Sequence, residues 1–220
     1  MSAQALKLYQ SSVGKKVLMA VSGVIWVGFL VLHLYSNLHI FAGKDVLNNY
    51  YEALEESVVQ LWGVRAVLLG SILVHVISAF SLVWQNKKAR TKGYQVQNCT
   101  ATTYAAKTMR WSGPILLMYI VFHLSHFAGG LFQDSSLAED DVYGRMVTSF
   151  SVAPISFFYM LAFVCLGVHV YHGAWSFFQS LGLYHSKYNP LKRTLAGLVT
   201  LLLIGGYLSI PVAVLLGVIK

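Results

Sequence analysis

Six histidines of this 220-residue chain, His33, His75, His123, His126, His169 and His172, fall inside long apolar runs. An ionisable group is costly in hydrocarbon, so an imidazole kept there points to function. No Asp, Glu or Lys lies deep in any of those runs, although a proton-driven transporter would usually place a carboxylate there. Neutral imidazole without a carboxylate partner suits metal ligation instead. The other two histidines sit elsewhere, His39 at the outer edge of a run and His185 in a polar loop. The two cysteines, Cys99 in a basic loop and Cys165 in an apolar run, form no CxxC motif and no plausible disulfide.

The elements that must position these imidazoles are membrane helices. About 20 consecutive apolar residues suffice to cross a bilayer, and five such runs occur, at about 17–39, 61–84, 111–132, 152–178 and 195–218. Hydrophobic residues make up 56% of the chain and charged ones 11%, with mean hydropathy +0.61. That balance excludes an ordinary soluble domain, a disordered tail and a disulfide scaffold. The length predicts a single folding unit over 1–220, all-α and integral to the membrane. The first run exceeds a signal-peptide core and lacks a small-residue cleavage site, so it is expected to stay in the mature chain. Pro114 and Pro154 fall in the first turns of the third and fourth spans, and Pro211 near the far end of the fifth, where membrane helices tolerate proline.

Charge placement predicts the orientation. The formal charge is +8, from sixteen basic and eight acidic residues, and its position matters more than its sum. Twelve basic residues lie on one side: Lys7, Lys15 and Lys16, then Lys87, Lys88, Arg90, Lys92, Lys107 and Arg110, then Lys187, Lys192 and Arg193. All eight acids, Asp45, Glu52, Glu55, Glu56, Asp134, Glu139, Asp140 and Asp141, lie in the two loops on the other side. The positive-inside bias puts the N-terminus in the cytoplasm and the C-terminus outside, and gives no reason to invoke nucleic acid.

Depth then sorts the histidines. His75 lies nine residues from the inner end of its span at Trp84, and His169 nine residues from Phe178. At about 1.5 Å per residue both are roughly 13 Å above the inner edge, on different helices. His123 and His33, counted from Trp111 and Val17, lie roughly 18–24 Å up. One inner and one outer pair on four helices fit two bis-histidine haems inside a four-helix bundle, with a fifth helix outside it. Filled axial sites make such iron an electron carrier. His126, one turn from His123, is an alternative third-span ligand. His172, one turn from His169, is a candidate partner for a haem propionate, a quinone or a backbone carbonyl.

An internal echo supports the pairing. Ser22-Gly23 precedes His33-Leu34 by nine intervening residues, and Ser112-Gly113 precedes His123-Leu124 by the same nine. His75-Val76 is followed by Ala79, and His169-Val170 by Gly173, at one offset. Within the halves the histidines are 42 and 46 residues apart, which reads as two related hairpins. The echo favours His123 over His126.

With five spans, one such histidine in each of the first four, and the segment HVYHGAWSF from His169 to Phe177, the chain resembles the cytochrome b558-type membrane subunits of succinate:quinone oxidoreductases and fumarate reductases. The resemblance covers nearly the whole chain. It implies two haem b groups, held by His75 and His169 proximal to the hydrophilic subunits and by His33 and His123 distally. It further implies a membrane quinone, with menaquinone favoured, and a flavoprotein carrying FAD that docks through an iron–sulfur subunit on the cytoplasmic face of a bacterial inner membrane. The chain has no glycine-rich dinucleotide loop and no cysteine cluster, so it is not expected to turn over a dicarboxylate itself. Some members of the family carry a glutamate two residues before the fourth ligand, where this chain has Gly167, so that proton route is expected to be absent. Glu52, Glu55 and Glu56 are candidates for an outer quinol-site acid, but a solvated acidic loop accounts for them more simply.

Two other readings stay open at this point. One is a different bis-histidine haem b carrier, b561-like or linked to a hydrogenase or formate dehydrogenase. The other is a haem-free metal transporter or scaffold. A bc-type cytochrome b places two ligands thirteen or fourteen residues apart on one helix, and no span here has that spacing.

Overall fold

The computed structural model describes residues 9–89, 104–138, 140–183 and 185–220. Lys7, Arg90, Lys92, Cys99 and Glu139 lie outside the described residues. The chain runs through α1 (Ser12–Leu38), a 3-10 turn (His39–Ala42), α2 (Lys44–Glu55), α3 (Val58–Lys88), α4 (Tyr104–Phe127), α5 (Val142–Ser151), α6 (Ala153–Ser180), a second 3-10 turn (Ser186–Tyr188) and α7 (Asn189–Leu215). Among the described residues all regular structure is helical.

Among the described residues, four segments are long and apolar enough to cross a bilayer: Ser12–Ala42, Val58–Lys88, Ala153–Ser180 and Ser186–Leu215. The predicted third span behaves differently. Its helix, α4, has 24 residues, but Arg110, Ser112, Ser125 and the two histidines dilute its apolar content. It also starts earlier and stops earlier than the hydropathy predicts. Pro114 is therefore inside the helix rather than in its first turn. The helix ends at Phe127 instead of residue 132, because the chain turns through Gly130 and Phe132, both at positive φ (69° and 62°). The Arg145 guanidinium caps that end, donating from Nη2 to the Phe127 carbonyl at 2.6 Å.

α1 and α6 form the centre. α3 packs along α1, α4 packs along α6, and α7 lies against both α6 and α1. Neither α1 with α4 nor α3 with α6 packs extensively. The polarity is arranged for lipid: Leu32, Leu69, Leu198 and Leu201 are exposed, while Ser22, Ser78, Ser112 and Ser156 are buried. Small polar residues at helix interfaces let membrane helices approach and bond. At Gly206 α7 approaches α1 closely, since a Cβ there would lie 2.6 Å from the buried Leu34 Cδ2.

The two acidic outer loops contain helices that hydropathy does not reveal. α2 is short and highly charged, yet it buries Leu47; α5 buries Met146 and Phe150. The two helices pack on each other, so each half of the chain is a hairpin with a helical cap, and the caps are joined. Asp141 makes the joint. It accepts from Lys44 Nζ at 2.7 Å and Asn48 Nδ2 at 3.1 Å, and it caps α5 by accepting from the Gly144 amide at 2.9 Å. Asn48 Oδ1 in turn accepts from the Tyr143 amide at 3.0 Å. The Lys44 hydrogen bond, reinforced by the Gly144 and Asn48 donors, holds the Asp141 carboxyl at about 2 against the upward push of desolvation.

Two outcomes are expected from this packing. Gly206→Ala should lower stability by about 1–3 kcal/mol through overpacking against Leu34, measured as thermal unfolding in detergent. Asp141→Ala should cost about 1 kcal/mol at neutral pH through the lost cap. Because the folded carboxyl titrates below its ordinary 3.8, its contribution is complete above about pH 4 and is lost as pH falls toward 2. The gap between wild type and variant should therefore stay constant from pH 8 to 5 and close only in that acid window.

Candidate functional site

The four candidate ligands meet as two pairs across the bundle. His75 on α3 and His169 on α6 have ring centroids 6.2 Å apart, with planes at 54°. His33 on α1 and His123 on α4 are 5.9 Å apart, with planes at 78°. Each pair joins helices whose backbones do not pack together, so the imidazoles reach across open intervals. An imidazole nitrogen binds a first-row metal at about 2.0–2.1 Å, so two rings on opposite faces of one metal have centroids roughly 6 Å apart. Both separations fit that bridge.

Hydrogen bonds orient the inner pair. His75 Nδ1 lies 3.1 Å from the Met19 carbonyl and 3.1 Å from Ser22 Oγ. A carbonyl only accepts, so Nδ1 carries the proton and Nε2 keeps its lone pair. Ser22 sends its own proton to the Leu18 carbonyl at 2.7 Å, leaving its oxygen free to accept from His75. Across the bundle His169 Nδ1 lies 3.3 Å from Ser112 Oγ. The sequence marks both serines only as members of the echo; their grip on a histidine of another helix emerges from packing.

The outer pair is surrounded by rings. Phe29 stacks on His33 at 5.2 Å and Tyr119 on His123 at 5.8 Å, while the Tyr159 hydroxyl lies 3.4 Å from His123 Nδ1. His126 has a different place. It is fully buried, with Nδ1 at 2.8 Å from Tyr159 Oη and Nε2 at 3.2 Å from Ser149 Oγ. Both its nitrogens are engaged, so it packs the outer core and leaves His123 as the residue facing His33. Next to this core, Phe122, Gln133, Pro154 and Phe158 line a wide-open, largely apolar groove of about 580 Å³. Gln133 accepts from Arg145 Nε, and its Nε2 is buried without a hydrogen-bond partner among the described residues.

The remaining candidates separate cleanly. His172 Nδ1, one turn from His169, is buried and unpartnered among the described residues. His39 stacks on Tyr50 at 4.4 Å and bonds the Tyr35 carbonyl at 3.0 Å, at the outer edge. His185 accepts from the Lys187 amide at 3.3 Å in the inner loop. Glu52, Glu55 and Glu56 are exposed. At Gly167 there is no room for a longer side chain, because a Cβ would overlap Ile204 on α7.

The donor set narrows the chemistry. Among the described residues no three His, Cys, Asp or Glu side chains converge on a metal-sized point. A bare protein-bound zinc-like ion takes three or four protein ligands. Two imidazoles opposed across a bundle suit a metal whose other positions are already filled, as in a haem. The orphaned His172 nitrogen beside the inner pair provides a partner for a polar substituent of such a group. These residues fit it.

Comparison with known proteins gives one finding. Residues 85–206, more than half of the chain, match the family model for the succinate dehydrogenase/fumarate reductase transmembrane subunit. The matched residues include His123 and His169, whereas His33 and His75 precede them. No curated protein and no solved structure matches the chain.

Proposed function

The chain belongs to the family of succinate dehydrogenase/fumarate reductase transmembrane subunits, and from that membership we propose that it is the di-haem cytochrome b anchor of such a complex. It carries electrons between a cytoplasmic flavoprotein and iron–sulfur pair and a membrane quinone, with menaquinone favoured. The observation that carries this reading is the meeting of four lipid-depth histidines as two pairs, 6.2 and 5.9 Å apart, on four helices. When bound, each haem b would supply one-electron exchange.

The chain's own residues do the rest. His75 and His169 hold the inner haem and His33 and His123 the outer, each pair spanning an interval between unpacked helices. His172 bonds a propionate of the inner group. Tyr119 and Phe29, stacked on the outer ligands, exclude water from that level. Quinone is taken up in the apolar groove beside Phe122 and Phe158, where Gln133, steadied by Arg145, donates its amide to a quinone carbonyl. Phe122 lies 5.5 Å from His126 and beside His123 in sequence, which keeps this groove close to the outer pair. The basic ends of α1, α3, α4 and α7 face the cytoplasm and the soluble subunits, with α2, α5 and the acidic loops that hold them outside.

A pyridine haemochrome assay with a dithionite-reduced minus oxidised spectrum should find two b-type haems per chain; a colourless, folded preparation would sink the proposal. Single His75→Ala or His169→Ala replacement should remove one haem and spare the other, and His33→Ala or His123→Ala should do the converse. Two fully bound haems in any of these four variants would make the ligand assignment wrong. His126→Ala should keep both haems while losing about 1–3 kcal/mol of stability, because Tyr159 and Ser149 are left without their buried partner.

A further inference from the structure

Ser22 and Ser112 occupy equivalent places in the two hairpins, and each contacts the histidine of a different helix rather than its own. Ser22 on α1 meets His75 on α3, and Ser112 on α4 meets His169 on α6. Both serines are nearly fully buried, at 3% and 4% exposure, in the inner half of the bundle. Each precedes the outer-pair histidine of its own helix by eleven residues. Eleven residues make about three helical turns and roughly 16 Å of rise, so serine and histidine share one helix face at two depths. The Ser-x10-His spacing is thus what a helix needs to serve two stacked sites at once. It gives a ligand to the outer site and a hydrogen bond to a ligand of the inner one.

Resting on the di-haem reading, we propose that Ser22 and Ser112 are positioning residues of the inner haem, which set the tautomer and electron donation of its two axial imidazoles. An Nδ1–H that donates to a hydroxyl leaves its ring a stronger base at Nε2. A stronger axial donor favours ferric iron and lowers the reduction potential, so the serines poise the inner centre and leave the outer one alone. The two contacts are unequal. His75 keeps the Met19 carbonyl at 3.1 Å if Ser22 is lost, whereas Ser112 is the hydrogen-bond partner found for His169.

The test is an optical redox titration of both haems in the full membrane complex, for Ser22→Ala, Ser112→Ala, the double variant and the two threonine variants. In the alanine variants one midpoint potential should rise while the other stays, with Ser112→Ala moving it further than Ser22→Ala. Threonine, which keeps the hydroxyl, should restore the wild-type value. If an alanine variant binds only one haem, the matching threonine variant should recover the second. Unchanged potentials in the double alanine variant, equal shifts of both haems, or threonine behaving like alanine would each overturn the proposal. Wild type is titrated in parallel. If it contains no haem, the di-haem reading itself falls, and a wild type with two haems but unmoved variants fails the serines alone.

Discussion

An imidazole held in hydrocarbon needs partners for both of its nitrogens, and most of this bundle is arranged around that demand. Water is absent at that depth, so an unpaired polar atom keeps nearly its full desolvation cost. His126 meets the demand wholly within the protein, through Tyr159 and Ser149. His75 meets half of it, at Nδ1, through Met19 and Ser22, and its ring lies 6.2 Å from that of His169. The contrast between His126, engaged at both nitrogens, and His75, engaged at Nδ1 alone, separates packing from proposed ligation.

The helices bring the four histidine rings together as two pairs. α1 and α6 touch along the centre, and α3 and α4 flank them, so the histidine-bearing pairs α1–α4 and α3–α6 stay apart. Close packing elsewhere maintains the spacing. Leu34 presses into the gap left by Gly206, and Ile204 fills the space over Gly167, which locks α7 against α1 and α6. Tyr207 on α7 donates to the Leu30 carbonyl on α1 at 2.8 Å, tying the same contact with a polar bond. Outside the bilayer, Asp141 joins α2 to α5 and so fixes the outer ends of the two hairpins relative to each other.

Family membership and geometry bear on different parts of the chain. The matched residues cover the second hairpin and most of α7, with His123 and His169. Their partners His33 and His75 enter through packing, since each stands within about 6 Å of a histidine in the matched segment. The first hairpin thus enters the proposed function by its contacts with the second.

The sequence by itself indicated the membrane class, five spans of which four are long apolar helices among the described residues, the sorting of charge between the two ends and the histidines worth attention. These follow from hydropathy and from one-dimensional spacing, because a membrane helix needs a long apolar run and rises a constant amount per residue. It misjudged the ends of the third span, where Gly130 and Phe132 turn the chain and Arg145 caps the helix. It also passed over α2 and α5, which bury only Leu47, Met146 and Phe150 of their apolar residues and are too short and polar to register as apolar runs. Only the tertiary structure decided which nitrogen of His75 is protonated, that His126 is used up by Tyr159 and Ser149, and that the serines of the echo grip histidines on neighbouring helices. A hydrogen bond depends on ångström distances between side chains of different helices, and linear spacing constrains depth but not which helix stands beside which.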